Sequence, residues 1–234
     1  MILSVRQRDT LIEIVNIAFG RAAGSLSELT SERVLLEVPQ VAVRPIDELL
    51  ENLTGLVHSS VAAVHQEVLG GLPGDALLVQ TETSAAILSE ILTGSVGQGP
   101  GISSADREVL NEIGNILLHA CVGTMGDTLG ISIKLKPPQV YVEDLQEVLD
   151  RLLQKRSEIQ WGLVITTRFR LGRLSEGPPL RGAAGGVTEG PPLRGAAGGV
   201  TDTEVGGTEV SGYIMLLLSV ASLDKLLEAL SEIG

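Results

Sequence analysis

The chain has 234 residues, 44% of them hydrophobic, and a formal net charge of −12 at pH 7. This length and apolar content suit one large or two small packed domains. The acidic balance argues against binding a nucleic-acid backbone or an anionic membrane surface, since both require concentrated lysine and arginine. The only cysteine, Cys121, excludes an intramolecular disulfide, and we expect it to be a small core residue. With no apolar leader in the first nine residues, we expect a cytoplasmic protein that does not bind membranes.

The first half of the chain predicts three helices and three strands. Apolar residues at helical spacing indicate the helices, and segments of alternating residues indicate the strands. A glycine-rich turn at residues 70–75 joins the last two strands. The predicted helices are residues 9–23, ending near Gly24, then 46–53 and 84–92. The predicted strands are residues 34–38, 57–69 and 76–81.

The second half predicts the same order of elements after a glycine-rich connection. The predicted helices are residues 104–123, capped by Ser103 or Ser104, then 145–153 and 222–233. The predicted strands are residues 131–135, 160–171 and 213–220. We therefore expect one domain over residues 1–234, of the α/β class and α+β type. Two repeats, residues 1–94 and 104–234, would share an antiparallel sheet packed with helices in a pseudo-twofold arrangement.

A short string supports the duplication. Glu13-Ile14-Val15-Asn16 returns 99 positions later as Glu112-Ile113-Gly114-Asn115. In both copies 22 residues separate the asparagine from a proline, Pro39 or Pro138, that opens a similar pentapeptide. Several landmarks at one constant offset indicate a repeated unit.

In each copy the Glu and the Asn lie on one face of the predicted helix, because residues three apart are neighbours on a helix surface. Adding the residues one turn away gives two polar stripes: Asp9, Glu13, Asn16 and Gly20, and Glu108, Glu112, Asn115 and His119. A solvated helix face inherited by duplication would explain these stripes. Against that interpretation, asparagine is a poor residue in mid-helix, because its side chain competes for backbone hydrogen bonds.

The two motifs resemble a known signature. Each begins with an acidic residue, followed after three positions by Glu, after two more by Asn and after a further 22 by Pro. This pattern is similar to the signature of the CheC, CheX and FliY family of bacterial chemotaxis phosphatases. Two copies without an added flagellar-switch domain resemble the CheC branch of this family. Glu108 departs from the usual pattern, which has Asp or Ser there.

The resemblance implies a protein phosphatase that hydrolyses the aspartyl phosphate of a CheY-type response regulator. It implies that Asn16 and Asn115 each orient the attacking water, while Glu13 and Glu112 pair with a lysine of the regulator. The phosphatase would have no cofactor of its own, since the regulator would hold the Mg²⁺. The deamidase CheD is a second possible partner. Because the substrate would be a protein surface, we expect both motif helices to be exposed on one surface.

Other functions fit the same residues. The chain could be an interaction module that binds a regulator or CheD without turnover, or a flagellar-switch component. A metal site of Glu108, Glu112 and His119 is a weaker hypothesis, because further ligands would be needed and the first copy has Gly20 in place of the histidine.

A tandem repeat interrupts the second predicted hairpin. Residues 176–188 are repeated letter for letter at residues 189–201. This glycine- and proline-rich composition predicts a disordered insertion at about residues 172–207. Its Pro-Pro-Leu-Arg segments could be docking peptides, or the repeat could be an expansion tolerated at a hairpin tip, where added loop length costs little.

Overall fold

The computed structural model describes residues 3–30, 33–52, 60–93, 101–172 and 208–233. None of the helices in those ranges is long and apolar enough to cross a bilayer. The tandem repeat and most of the predicted insertion lie outside the described residues. Among the described residues, the predicted combination of helices and an antiparallel sheet is confirmed. The division into two repeats stays a prediction, although the order of elements is similar in the two halves.

The described residues form six helices and seven strands. The helices are α1 (Val5–Thr30), α2 (Ile46–Asn52), α3 (Glu82–Thr93), α4 (Ser104–Leu129), α5 (Leu145–Lys155) and α6 (Val220–Ile233). The strands are β1 (Arg33–Pro45), β2 (Ser60–Gly70), β3 (Gly74–Thr81), β4 (Ile133–Leu135), β5 (Gln139–Asp144), β6 (Ile159–Gly172) and β7 (Thr208–Ser219).

All seven strands belong to one sheet in which the halves of the chain interleave. The order is β1-β6-β7-β3-β2-β4, and β5 also pairs with β2. Every pairing is antiparallel. The central pair, β7 and β3, brings together one strand from each half. In addition, β1 of the first half pairs with β6 of the second, and β4 and β5 of the second half pair with β2 of the first. The two halves therefore share a single sheet.

The helices cover both faces of this sheet. Buried apolar side chains of α1, α3, α4 and α6 pack on one face, in a cluster that includes Val64 and Leu78. On the other face α2 and α5 pack over a second cluster that includes Leu77 and Val79. Successive residues of a strand point to opposite faces, so β3 alone contributes to both clusters. The two motif helices, α1 and α4, therefore lie on the same face, and Cys121 is buried there as expected.

Helix α1 is longer than the sequence predicts. It begins at Val5 because Ser4 and Gln7 form a capping box: the Gln7 backbone N–H donates to Ser4 Oγ at 3.2 Å, and the Ser4 N–H donates to Gln7 Oε1 at 3.0 Å. The predicted stop near Gly24 is wrong, because the helix continues to Thr30, nearly two turns further, and buries Leu26.

Helix α4 begins where predicted, with Ser103 as its N-cap in a capping box with Asp106. Its predicted end at Gly123 is wrong, and the helix continues to Leu129. Gly130, not Gly123, has the left-handed backbone that ends a helix, with a φ of 64°.

The strands near the motif prolines also differ from the prediction. Instead of ending before Pro39, β1 runs from Arg33 to Pro45, with a register shift between Glu37 and Gln40. A bulge of this kind accommodates a proline within a strand, because its missing N–H need not enter the ladder. In the second half, adjacent prolines separate β4 from β5, and β5 was not predicted.

Candidate functional site

The first Glu-x-x-Asn pair lies on the solvent side of α1. Glu13 and Asn16 are exposed, whereas Ile14 and Val15 between them are buried against the sheet. Ile17, next to Asn16, is 46% exposed. Within the described part of the chain, neither Glu13 nor Asn16 makes a side-chain hydrogen bond or ion pair. Both polar groups are therefore available to a binding partner.

The second pair, on α4, has a partner inside the protein. Glu112 is exposed, but Asn115 is half-buried, and its Oδ1 accepts a hydrogen bond from Nε2 of Gln66 at 3.1 Å. Gln66 lies on β2 and is fully buried. The same Nε2 donates to the backbone oxygen of Lys136 at 3.0 Å. The Asn115 carboxamide is thus connected through Gln66 to the main chain between β4 and β5.

A glycine brings α4 close enough to β2 for this contact. A Cβ atom added at Gly114 would lie 2.5 Å from Cγ1 of Val64, which is a prohibitive distance for two carbon atoms. Val64 precedes Gln66 by two residues, so both side chains point to the same face of β2. The residue at the corresponding place on α1 is Val15, which is fully buried.

The other residues of the two polar stripes are exposed: Asp9 and Gly20 on α1, and Glu108 and His119 on α4. Nδ1 of His119 donates to the backbone oxygen of Asn115 at 3.0 Å. No group of three or more His, Cys, Asp or Glu side chains suited to a metal ion occurs within the described ranges. Arg21 connects the two helices by donating from Nη1 to Thr124 Oγ1 at 3.3 Å, but no hydrogen bond in the described ranges joins the two Glu-x-x-Asn pairs.

A cavity lies on the opposite face of the sheet and contains none of the predicted site residues. It has a volume of about 140 Å³ and is lined in part by His65, Glu67, Asp75 and Arg156. His65 Nε2 is 2.7 Å from Asp75 Oδ1, and Arg156 forms ion pairs with both carboxylates. The hydrogen bond from Lys136 lowers the pKa of Glu67, which Arg156 lowers further against the opposing effect of burial.

Sequence reasoning missed Gln66 and Gly114. Both leave a signal in the sequence: Gln66 interrupts the apolar side of β2, which otherwise reads Ala62, Val64 and Val68. Gly114 lies in the middle of a helix, where glycine is costly unless another chain approaches closely. Neither signal identifies the partner, because β2 and α4 are about fifty residues apart in the chain.

Comparison with curated proteins finds relatives that include two proteins of Bacillus subtilis. The chain is 28% identical over 147 residues to the flagellar motor switch phosphatase FliY of Bacillus subtilis, in a match that covers 62% of this chain and 38% of that protein. It is 24% identical over 165 residues to the CheY-P phosphatase CheC of the same organism, covering 69% of this chain and 78% of CheC. The chain therefore spans well under half of the FliY sequence. No family model matches it.

Solved structures show the same fold. FliY of Thermotoga maritima matches with a TM-score of 0.65 at 18% identity, over 100% of both chains. The middle domain of FliM from H. pylori matches with a TM-score of 0.55 at 9% identity, over 97% of this chain and 99% of that domain. This architecture thus occurs both in FliY of Thermotoga maritima and in the middle domain of FliM.

Proposed function

We propose that this chain, which belongs to the CheC, CheX and FliY family, hydrolyses the aspartyl phosphate of a CheY-type response regulator. The observation that carries the proposal is the recurrence of Glu and Asn, three residues apart, on the outer sides of both α1 and α4. A phosphoryl group held on another protein can reach a helix surface of this kind. The name of the B. subtilis relative CheC supports the same substrate.

In this mechanism Asn16 and Asn115 act through their carboxamides. An amide can accept a hydrogen bond from water and donate one to a phosphoryl oxygen at the same time. It can therefore hold a water molecule in line with the phosphorus atom. Phosphoryl transfer gains mainly from positioning and electrostatics, and well-ordered reactants can account for up to about 7–11 kcal/mol of barrier lowering. A strong base is therefore not required on this chain.

Glu13 and Glu112 would fix the orientation of the bound regulator. Both carboxylates are exposed and have no ion-pair partner within the described residues, so each can pair with a lysine of the regulator. The regulator would also supply the phosphorylated aspartate and its Mg²⁺, which neutralises charge on the phosphoryl group. Ile17, exposed beside Asn16, adds an apolar contact to the first docking surface.

The alternative is a binding module without turnover, which would dock a regulator or CheD or form part of the flagellar switch. The fold of the FliM middle domain favours this alternative, because the same architecture is found in that protein. The two functions differ in one measurable respect: only the phosphatase accelerates phosphate loss from a bound regulator.

The decisive experiment measures that acceleration. A CheY-type receiver domain is phosphorylated with acetyl phosphate in Mg²⁺, and its phosphate loss is followed with and without this chain. The double variant Asn16→Ala/Asn115→Ala should lower the accelerated rate at least about 100-fold, a loss typical of removing groups that stabilise the transition state. Binding of the receiver should persist, because both glutamates remain.

A matched control uses Ser25→Ala/Thr128→Ala, which changes exposed residues of the same two helices outside the polar stripes. This control should retain the full rate. Wild-type chain that binds the receiver without accelerating phosphate loss would favour the binding module. An unchanged rate in the double asparagine variant would refute the assigned roles of Asn16 and Asn115.

A further inference from the structure

We propose that Gln66 is a positioning residue for the second site, where it fixes the orientation of the Asn115 carboxamide. This inference rests on the proposed phosphatase function. Gln66 lies on β2 beneath α4, where its side chain is fully buried. It reaches two acceptors, Asn115 Oδ1 at 3.1 Å and the backbone oxygen of Lys136 at 3.0 Å.

The backbone oxygen of Lys136 determines which way the Gln66 carboxamide points. A carbonyl oxygen only accepts hydrogen bonds, so the Gln66 atom that faces it must be the amino nitrogen Nε2. The second hydrogen on Nε2 is then directed at Asn115, which must present its oxygen, Oδ1. A main-chain atom thus sets the orientation of both amides in turn.

The consequence for Asn115 is a defined direction for its own amino group. Oδ1 and Nδ2 lie on opposite sides of the carboxamide, so holding Oδ1 toward the strand directs Nδ2 away from it. Nδ2 is then ready to donate to a phosphoryl oxygen, while Oδ1 keeps a second lone pair for water. Groups oriented before the substrate arrives need no reorganisation during the reaction.

A purely structural role explains Gln66 poorly. Its Oε1 is buried and has no hydrogen-bond partner among the described residues, which makes a glutamine costly at this position. In the other half, 99 residues later, Ile165 occupies the corresponding place: Gln66 pairs with Ala76 of β3, and Ile165 pairs with Ile214 of β7. Ile165 is also fully buried. An apolar residue therefore suits this position in the sheet, and the glutamine occurs where it can reach an asparagine.

The first site has no such arrangement. Asn16 is exposed and makes no side-chain hydrogen bond within the described ranges. Val15 on α1 occupies the place of Gly114, and Ile165 that of Gln66. The carboxamide of Asn16 must therefore be ordered when the regulator binds, at a cost in side-chain freedom. Asn115 has already been ordered by the fold.

The test isolates the second site in an Asn16→Ala background and adds Gln66→Met, which preserves side-chain length but cannot donate a hydrogen bond. We expect kcat for phosphate loss to fall about tenfold to a hundredfold, with KM nearly unchanged, because misplacing a reacting group affects the chemical step. Gln66→Ile, which copies the other half of the sheet, should give the same result and serves as a second variant if one of them folds poorly. A kcat that is unchanged or higher would overturn the proposal.

The matched control places Gln66→Met in an Asn115→Ala background, where only the first site remains. Its residual turnover should not change, whereas general damage to the fold would lower turnover in both backgrounds. Equal losses in the two backgrounds would assign Gln66 a structural role and overturn the proposal.

A second readout does not depend on activity. The side-chain NH₂ group of Asn115 should show a high ¹⁵N order parameter in the wild type, and Gln66→Met should lower it to the value of Asn16. If no variant or wild type accelerates phosphate loss, the proposed function fails while this measurement still decides whether Gln66 orients Asn115. An order parameter for Asn115 as low as that of Asn16 in the wild type would overturn the inference.

Discussion

Helices α1 and α4 carry the same Glu-x-x-Asn spacing but lie differently on the sheet. On α1 the residue before Asn16 is Val15, whose side chain is fully buried in the apolar cluster on this face of the sheet. On α4 it is Gly114, which lets the helix approach Val64 so closely that no Cβ fits. Asn115 thereby reaches Gln66, while Asn16 has no side-chain partner in the described part of the chain. Two motifs with the same Glu-x-x-Asn spacing can therefore differ in how well their functional groups are ordered, because the residue before the asparagine and the strand beneath the helix are different.

The largest expected effect comes from breaking the close approach of α4. Gly114→Ala would place a Cβ 2.5 Å from Val64, so helix or strand must move. We expect the free energy of unfolding, measured by urea titration, to fall by about 1–3 kcal/mol. Gly123→Ala on the same helix is the control, because among the described residues no atom other than those of its neighbours in the helix lies within 4 Å of the added Cβ. It should stabilise the helix by up to about 1 kcal/mol, and equal effects of the two changes would contradict the close-packing explanation.

Single asparagine substitutions compare the two sites directly. Asn115→Ala should lower kcat for receiver dephosphorylation by roughly tenfold, because only the first site then remains and its barrier is about 1.4 kcal/mol higher. Asn16→Ala should lower it clearly less, because the Asn16 carboxamide is not ordered before binding. Phosphate release from the receiver, measured at saturating receiver concentration, gives both values. Equal losses would mean that order in the free protein does not determine which site is more active.

A smaller effect concerns the pH dependence of stability near the second site, where Glu67 lies on β2 next to Gln66. The pKa of Glu67 is lowered below its ordinary value of 4.5, mainly by the hydrogen bond from Lys136, whose backbone oxygen orients Gln66. A lowered carboxyl pKa contributes stability above about pH 4.5, and this contribution is lost as the pH falls through the folded-state pKa. Thr166, 99 residues after Glu67, has no charge, so the corresponding place on β6 makes no such contribution.

Glu67→Gln tests this prediction. It should lower the free energy of unfolding near pH 7 by less than about 1 kcal/mol, because Lys136 is largely solvated. The difference from wild type should shrink below pH 4.5. Urea titrations at several pH values give the curve, with Glu147→Gln, an exposed α5 residue, as the control. A difference that stays constant with pH would show that ionisation of Glu67 does not contribute.

The fold was largely predictable because local periodicity determines most of its elements. The apolar spacing around Ile113 and the alternation in β3 each depend on neighbouring residues, and these elements lie close to the predicted positions. The helix ends were less predictable. Gly24 and Gly123 resemble stop signals in the sequence, but a glycine ends a helix only when its backbone turns left-handed, as Gly130 does.

The candidate site was predictable only in part, for a different reason. The motif residues recur at a fixed offset, so a single sequence reveals Glu13, Asn16, Glu112 and Asn115 as candidates. The contact between Gln66 and Asn115 depends on how β2 lies beneath α4 after folding, and no local pattern encodes that distance. A polar residue on the buried side of a strand and a glycine in mid-helix were both visible, but only the tertiary structure relates them.

The smallest expected effect concerns the thiol of Cys121, which should not react in the folded chain. Its reactivity tests the packing of α4 once that helix is disturbed. The thiol is fully buried, and burial raises its pKa to about 12. Because the thiolate is the reactive form, the folded chain at pH 8 should resist iodoacetamide while the urea-unfolded chain reacts completely.

Cys121 follows Gly114 by about two helical turns on the same buried side. Gly114→Ala should therefore speed labelling, measured by mass spectrometry, whereas Gly123→Ala should not. Equal labelling rates in the two variants would mean that the close approach at Gly114 does not hold this part of α4 against the sheet.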